Sequence, residues 1–123
     1  MVFLAAVSLL LAACQQQTTS AGDPRAGEAL FHQVRIDSAP SCMTCHSTQP
    51  DKVIIGPSLS GVANRAGQRV PGQAAEEYLR SSILNPNLYV VDGFSPGLMY
   101  QNYKEALTDE QVGDLVAYLG SLK

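Results

Sequence analysis

Cys42-Met43-Thr44-Cys45-His46 is the stretch on which the reading of this chain turns. It has the C-x-x-C-H spacing of c-type haem attachment, and that spacing has a mechanical basis. Thiols three residues apart on one helical turn point the same way, so both can form thioethers with the vinyl groups of one haem. The adjacent imidazole is then carried up to the iron. Other uses of these residues fare poorly. A zinc site needs four ligands, and outside the cluster the chain offers only His32 and Cys14. A thioredoxin-type redox pair calls for a βαβ setting that the flanking sequence lacks, and a structural disulfide across two residues is uncommon. The expected cofactor is one covalently bound haem c.

Outward from the motif, the patterns are helical. Asp23-Pro24 starts a helix over about 24–33, with Asp as N-cap, Pro at the first helical position, and Ala26, Leu30 and Phe31 on an apolar face. A short helical turn should carry Cys42 to His46. Residues 47–72 contain Pro50, Gly56, Pro57, Gly61, Gly67, Pro71 and Gly72 and read as loop. Ala75, Tyr78, Leu79 and Ser82 follow helical spacing over about 73–84, and Asn85-Pro86 ends that segment because a residue before proline avoids the helical region. A further loop runs through Pro96-Gly97 to about Leu107. Thr108 with Gln111 forms a capping box, and Val112, Leu115, Val116, Leu119 and Leu122 mark one stripe, which predicts a helix over 109–121. Only Leu88 to Val91 hints at period-two alternation. An all-α domain follows, with about four helices and long loops that need something to wrap.

Composition agrees with a filled core and excludes some partners. The 123 residues hold one domain and a tail, with no obvious internal repeat. No Trp is present and only 7% of residues are aromatic, so a bare core of this size would be marginal and a cofactor would help fill it. The net charge is −3 and the eight Lys and Arg are scattered. That leaves no basic stripe for phosphates, and nucleic acid is not an expected partner.

The N-terminal end carries an address. Residues 2–13 are almost wholly apolar, and no ionisable side chain except Cys14 precedes Asp23. As a helix these twelve residues reach roughly 18 Å against about 30 Å of hydrocarbon, too short to span and suited to an export signal. A positive n-region is missing, so the true start lies upstream or the signal is atypical. Leu11-Ala12-Ala13-Cys14 resembles a bacterial lipobox, in which cleavage precedes the Cys and its sulfur takes a diacylglycerol. The expectation is a signal over 1–13, a lipidated Cys14 and polar tether over 14–22, and a folded domain over 23–123. Two or more acyl chains would anchor it stably to the outer face of a bacterial membrane.

Taken together, residues 24–123 resemble a class I cytochrome c. The resemblance rests on Cys42, Cys45 and His46, on Gly27 and Phe31, on Gly56-Pro57-Ser58-Leu59 followed by Gly61, on Asn64-Arg65-Ala66-Gly67, on Asn85-Pro86, on Met99, and on Leu107-Thr108 leading to Tyr118. It implies the class I fold around one haem, with the first and last helices crossing at Gly27, Phe31 and Tyr118. It implies that the carbonyl of Pro57 accepts the His46 ring N–H and that Arg65 lies near the haem propionates. The sixth ligand is expected in the loop between the last two helices. Met1 leaves with the signal and Met43 sits in the attachment turn, so Met99 is the candidate and His32 the competitor. The family usually follows this Met with Pro, and here Tyr100 stands in that place. Tyr78, Tyr89 and Phe94 are candidates for the crevice wall.

A haem with His46 and Met99 on its two axial sides has no open position for a substrate but can pass one electron with little rearrangement. The expected function is a non-enzymatic, membrane-tethered electron carrier, or a subunit of a membrane complex, in a respiratory or photosynthetic chain. Its partners would be redox proteins: a quinol-oxidising complex, a terminal oxidase or a photosynthetic reaction centre. The stretch from Val90-Val91-Asp92-Gly93-Phe94 to Met99 looks like cytochrome domains attached to haem-copper oxidases and related complexes. A peroxidase-like haem enzyme or gas sensor is the rival reading, and it would need distal polar groups beside a vacant iron site.

Overall fold

The computed structural model describes residues 21–123. The expected signal, Cys14 and all but the last two residues of the expected tether lie outside the described residues. Helix α1 spans Pro24–Phe31 and starts as its sequence demands: the Asp23 side chain accepts from the Arg25 N–H at 2.8 Å, and Pro24 follows the cap. A two-residue antiparallel hairpin comes next, β1 (Arg35–Ile36) paired with β2 (Ala39–Pro40), with Ile36 opposite Ala39. Asp37 turns it at a φ of +52°, a conformation that Asp tolerates. A single 3₁₀ turn, Cys42–Thr44, carries the attachment motif. The remaining helices are α2 (Val62–Ala66), α3 (Ala75–Leu84), α4 (Tyr103–Ala106) and α5 (Asp109–Ser121).

Helix α5 occupies the range that its stripe predicts. Its capping box is complete, with the Gln111 N–H donating to Thr108 Oγ1 at 3.2 Å and the Thr108 N–H donating to Gln111 Oε1 at 2.9 Å. Val112, Leu115, Val116, Tyr118 and Leu119 are buried. Its most extensive contact is with α1, where the two helices cross. Gly27 makes the crossing possible, because a Cβ there would land on the Asp114 carbonyl of α5. Phe31 and Tyr118 pack ring on ring beside it, centroids 5.5 Å apart. The Asp23 N–H donates to the Asp114 carboxylate at 2.7 Å and fastens the start of α1 to the same helix.

Several expectations change. Residues 47–72 are not all loop, since α2 forms inside them. Gly61 enters it at a φ of +65°, and Val62 and Ala66, four apart, bury one short face. The loop before Leu107 contains α4, one turn built around buried Tyr103. Helices this short do not stand alone and are held by what they pack on. The about four expected helices are thus five among the described residues, plus the 3₁₀ turn, and the hairpin adds a trace of strand that was not expected. Helix α3 begins at Ala75, two residues later than its spacing implies. Leu88 to Val91 forms no strand.

Candidate functional site

The attachment turn is fixed from both sides. Ser41, which precedes it, is buried and donates through Oγ to the Phe31 carbonyl at 3.2 Å, tying the turn to the end of α1. Within the turn the His46 N–H donates to the Cys42 carbonyl at 2.9 Å. The following loop folds back on it: the Gly56 and Ile55 N–H groups both donate to the Cys45 carbonyl, at 2.8 and 3.2 Å, and Leu59 N–H donates to the Ser47 carbonyl at 2.7 Å. This return brings the Pro57 carbonyl to 2.9 Å from His46 Nδ1. The carbonyl can only accept, so Nδ1 carries the proton and Nε2 keeps its lone pair. Burial pushes the His46 pKa below its ordinary value, against a smaller opposite effect of the Pro57 bond, so the neutral ring that a metal requires is favoured.

Gly56 is a site residue whose reason the sequence did not disclose. A Cβ there would sit 2.5 Å from His46 Cε1 and 2.9 Å from Nδ1. The imidazole lies flat against the bare backbone, which holds its plane between Gly56 and the Pro57 carbonyl.

Cys42, Cys45, His46 and Met99 line one cavity of about 640 Å³. Pockets for small molecules and cofactors run roughly 300–1,000 Å³. Both cysteines are free, half-buried thiols. Before any thioether forms, burial pushes the Cys42 thiol up to about 11, offset in part by a backbone hydrogen bond and reinforced by the nearby Cys45. Among the described residues no group of three or more His, Cys, Asp or Glu side chains could hold a metal by itself. Two thiols on one turn, a neutral imidazole and a half-buried thioether around an apolar hollow fit a flat, covalently attached macrocycle with an axial metal.

The cavity wall answers what spacing left open. Tyr78, Tyr89 and Phe94 all line it, together with Phe31, Leu79, Leu115 and Leu119 from the three long helices. Tyr78 and Tyr89 meet edge to face, 5.6 Å between centroids. Arg65 also lines the cavity and is half-buried; its guanidinium donates to the Ser60 carbonyl at 2.7 Å and the Ser58 carbonyl at 3.3 Å. Those carbonyls aim the guanidinium, which can still meet a carboxylate at the cavity edge. His32 is exposed at the end of α1, beside Phe31 and Tyr118, and is not among the lining residues, and Met43 faces away at 45% exposure. Of the sequence candidates for a second axial ligand, only Met99 reaches the cavity.

Tyr103 was missed altogether. It is buried, lines the cavity, and its hydroxyl donates to the Pro40 carbonyl at 2.8 Å across 63 residues of sequence. Burial first, and then the Cys42 and Cys45 thiols, push its pKa well above the usual tyrosine range, so it keeps the proton that it donates. No periodicity in its four-residue helix could have signalled this.

The comparisons with known proteins agree with this geometry. The cytochrome c family model matches residues 25–123. The chain is 33% identical to a cytochrome c2 of Rhodopseudomonas palustris over 86% of this chain and 85% of that one. It is 42% identical to a cytochrome c2 iso-2 of Rhodospirillum centenum over a shorter stretch, 42% of this chain and 36% of that one. Among solved structures it is similar to a chain of SoxXA from P. pantotrophus, with a TM-score of 0.55 and 25% identity, covering 86% of this chain and 85% of that one.

Proposed function

The chain belongs to the cytochrome c family, whose members act as electron carriers on a covalently attached haem c, and from that premise we propose that it is a membrane-tethered monohaem carrier with His46 and Met99 as axial ligands. The observation that carries this reading is the convergence of Cys42, Cys45, His46 and Met99 on one apolar cavity, with His46 Nε2 left free by the Pro57 bond. When bound, haem supplies a one-electron iron couple. The chain's residues do the rest. Cys42 and Cys45 hold the group covalently, and the Pro57 carbonyl keeps His46 in one tautomer and strengthens it as a donor. The apolar wall excludes water and disfavours added charge, and a thioether from Met99 favours ferrous iron, so both raise the potential. With His46 and Met99 both held toward the bound group, one electron would be able to pass to it from a reduced redox protein and on to an oxidised one with no bond made or broken.

A diacylglycerol on Cys14 holds the domain at the extracytoplasmic face of a bacterial membrane, where membrane complexes of respiration or photosynthesis give and take its electrons. It works there as a free carrier or as a fixed subunit. The lipobox-like Leu11-Ala12-Ala13-Cys14 and the charge-free leader support the anchor.

Expression with haem-attachment machinery tests the core of the reading. The denatured protein should keep one haem, and Met99→Ala should abolish the weak iron-to-sulfur absorption band of the oxidised form, lower the reduction potential and let carbon monoxide bind the reduced form. His32→Ala and Met43→Leu should do none of these. A haem-free denatured chain, or a wild type that binds carbon monoxide freely, would return the open-site enzyme or sensor reading.

A further inference from the structure

We propose that Asn87 and Gln101 are positioning residues, a side-chain clamp that holds the Met99 loop closed over the cavity. The inference rests on the reading of Met99 as an axial ligand and adds what keeps it there. The segment from Pro86 to Gln101 is packed through Pro86, Tyr89 and Tyr100 but has few backbone hydrogen bonds of its own. Between Asn85 and Asn102 the backbone makes two hydrogen bonds to itself, Leu88 N–H to the Asn85 carbonyl and Phe94 N–H to the Val91 carbonyl. Gly93 and Gly97 bend it at φ of +90° and +81° with no neighbour near where a Cβ would stand. Tyr100 follows Met99 and, unlike a proline, does not lock its own φ.

Three consecutive hydrogen bonds make up the shortfall. The Gly97 N–H donates to Asn87 Oδ1 at 2.8 Å. Asn87 Nδ2 donates to Gln101 Oε1 at 2.8 Å. Gln101 Nε2 donates to the Met99 carbonyl at 2.5 Å. Each amide uses one acceptor and one donor, so the relay has a single sense. It ends on the peptide that follows the thioether residue, and fixing that carbonyl fixes the backbone from which the Met99 side chain departs.

The clamp is mounted on firm ground at both ends. Asn87 stands just past α3, next to buried Pro86. Gln101 stands two residues before Tyr103, which is bonded to Pro40 and packs edge to face on Tyr100, centroids 5.0 Å apart. Opening the loop far enough to lift Met99 from the cavity therefore breaks the relay.

The test compares wild type with Asn87→Ala, Asn87→Asp, Gln101→Glu and Met99→Ala, all haem-loaded, with Leu88→Ala as a control in the same loop at 76% exposure. Imidazole binds ferric iron only when the sixth ligand has left, so its affinity reads loop opening. Asn87→Ala and Gln101→Glu should bind imidazole about tenfold more tightly, equivalent to ~1.4 kcal/mol of lost closure, and should lose the iron-to-sulfur band at a lower temperature. Asn87→Asp keeps the acceptor for Gly97 but not the donor to Gln101, so it should loosen Met99 while the Gly97 amide stays protected from hydrogen exchange. In Asn87→Ala that amide should exchange faster. Clamp variants with wild-type imidazole affinity and band, beside a Met99→Ala that changes both, would overturn the clamp alone. A Met99→Ala indistinguishable from wild type would overturn the ligand reading and the clamp with it.

Discussion

Gly56 and Pro57 show how two adjacent residues set the behaviour of a third. The Pro57 carbonyl selects the His46 tautomer, and the missing Cβ of Gly56 lets the imidazole lie where that bond is short. Gly56→Ala places a carbon 2.5 Å from His46 Cε1, so either the ring or the return loop must give way. Crowding of this kind costs about 1–3 kcal/mol. Because a weakened Nδ1–H···O bond makes the imidazole a poorer donor and so favours ferric iron less, the reduction potential should also rise. Denaturant unfolding and a redox titration of the loaded variant check both outcomes, and a wild-type potential with lowered stability would confine the effect to packing.

At the scale of elements, the α1–α5 crossing is what frames the cavity from behind, since Phe31, Leu115 and Leu119 face it from these two helices. The crossing is close because Gly27 admits the Asp114 backbone. Gly27→Ala should push the helices apart and lower stability by about 1–3 kcal/mol, with the midpoint of unfolding falling while the absorption spectrum of the folded protein holds. Gly120 is the contrast: it lies in α5 with nothing within 4 Å of its missing Cβ. Gly120→Ala should instead raise stability, by up to about 1 kcal/mol from helix propensity. Equal losses at both positions would show that the crossing does not depend on close approach.

For the whole molecule, a cavity of about 640 Å³ lined from α1, α3 and α5 means that these helices would pack on a bound cofactor as well as on each other. That is how a chain with no Trp encloses a core. Among the described residues no helix is long and apolar enough to cross a membrane; under the proposed reading it is a lipid on Cys14 that would retain the domain at one. Cys14→Ser behind a cleavable export signal should release soluble, haem-loaded protein. Mature Cys14→Ser protein still sedimenting with membranes after high-salt washing and separation from partner complexes would count against the lipid.

What could be read from the sequence is what acts over a few neighbouring residues. The C-x-x-C-H turn, the Asp23-Pro24 start, the Thr108–Gln111 capping box and the stripe of α5 each depend on groups within about one turn of each other, and all four stand in the structure as read. The resemblance carried further, to the Pro57 carbonyl and the Gly27 crossing. Tertiary structure decided the rest because its causes lie far apart in the chain. Helices α2 and α4 are too short to hold themselves and form only where Val62, Ala66 and Tyr103 find a core to enter. Tyr78, Tyr89 and Phe94 all proved to be wall, a choice that closure of the cavity makes and spacing cannot. The Asn87–Gln101 bond joins residues 14 apart and the Tyr103–Pro40 bond residues 63 apart. No local pattern encodes such pairs, because a hydrogen bond across a folded loop depends on where the backbone has already been placed.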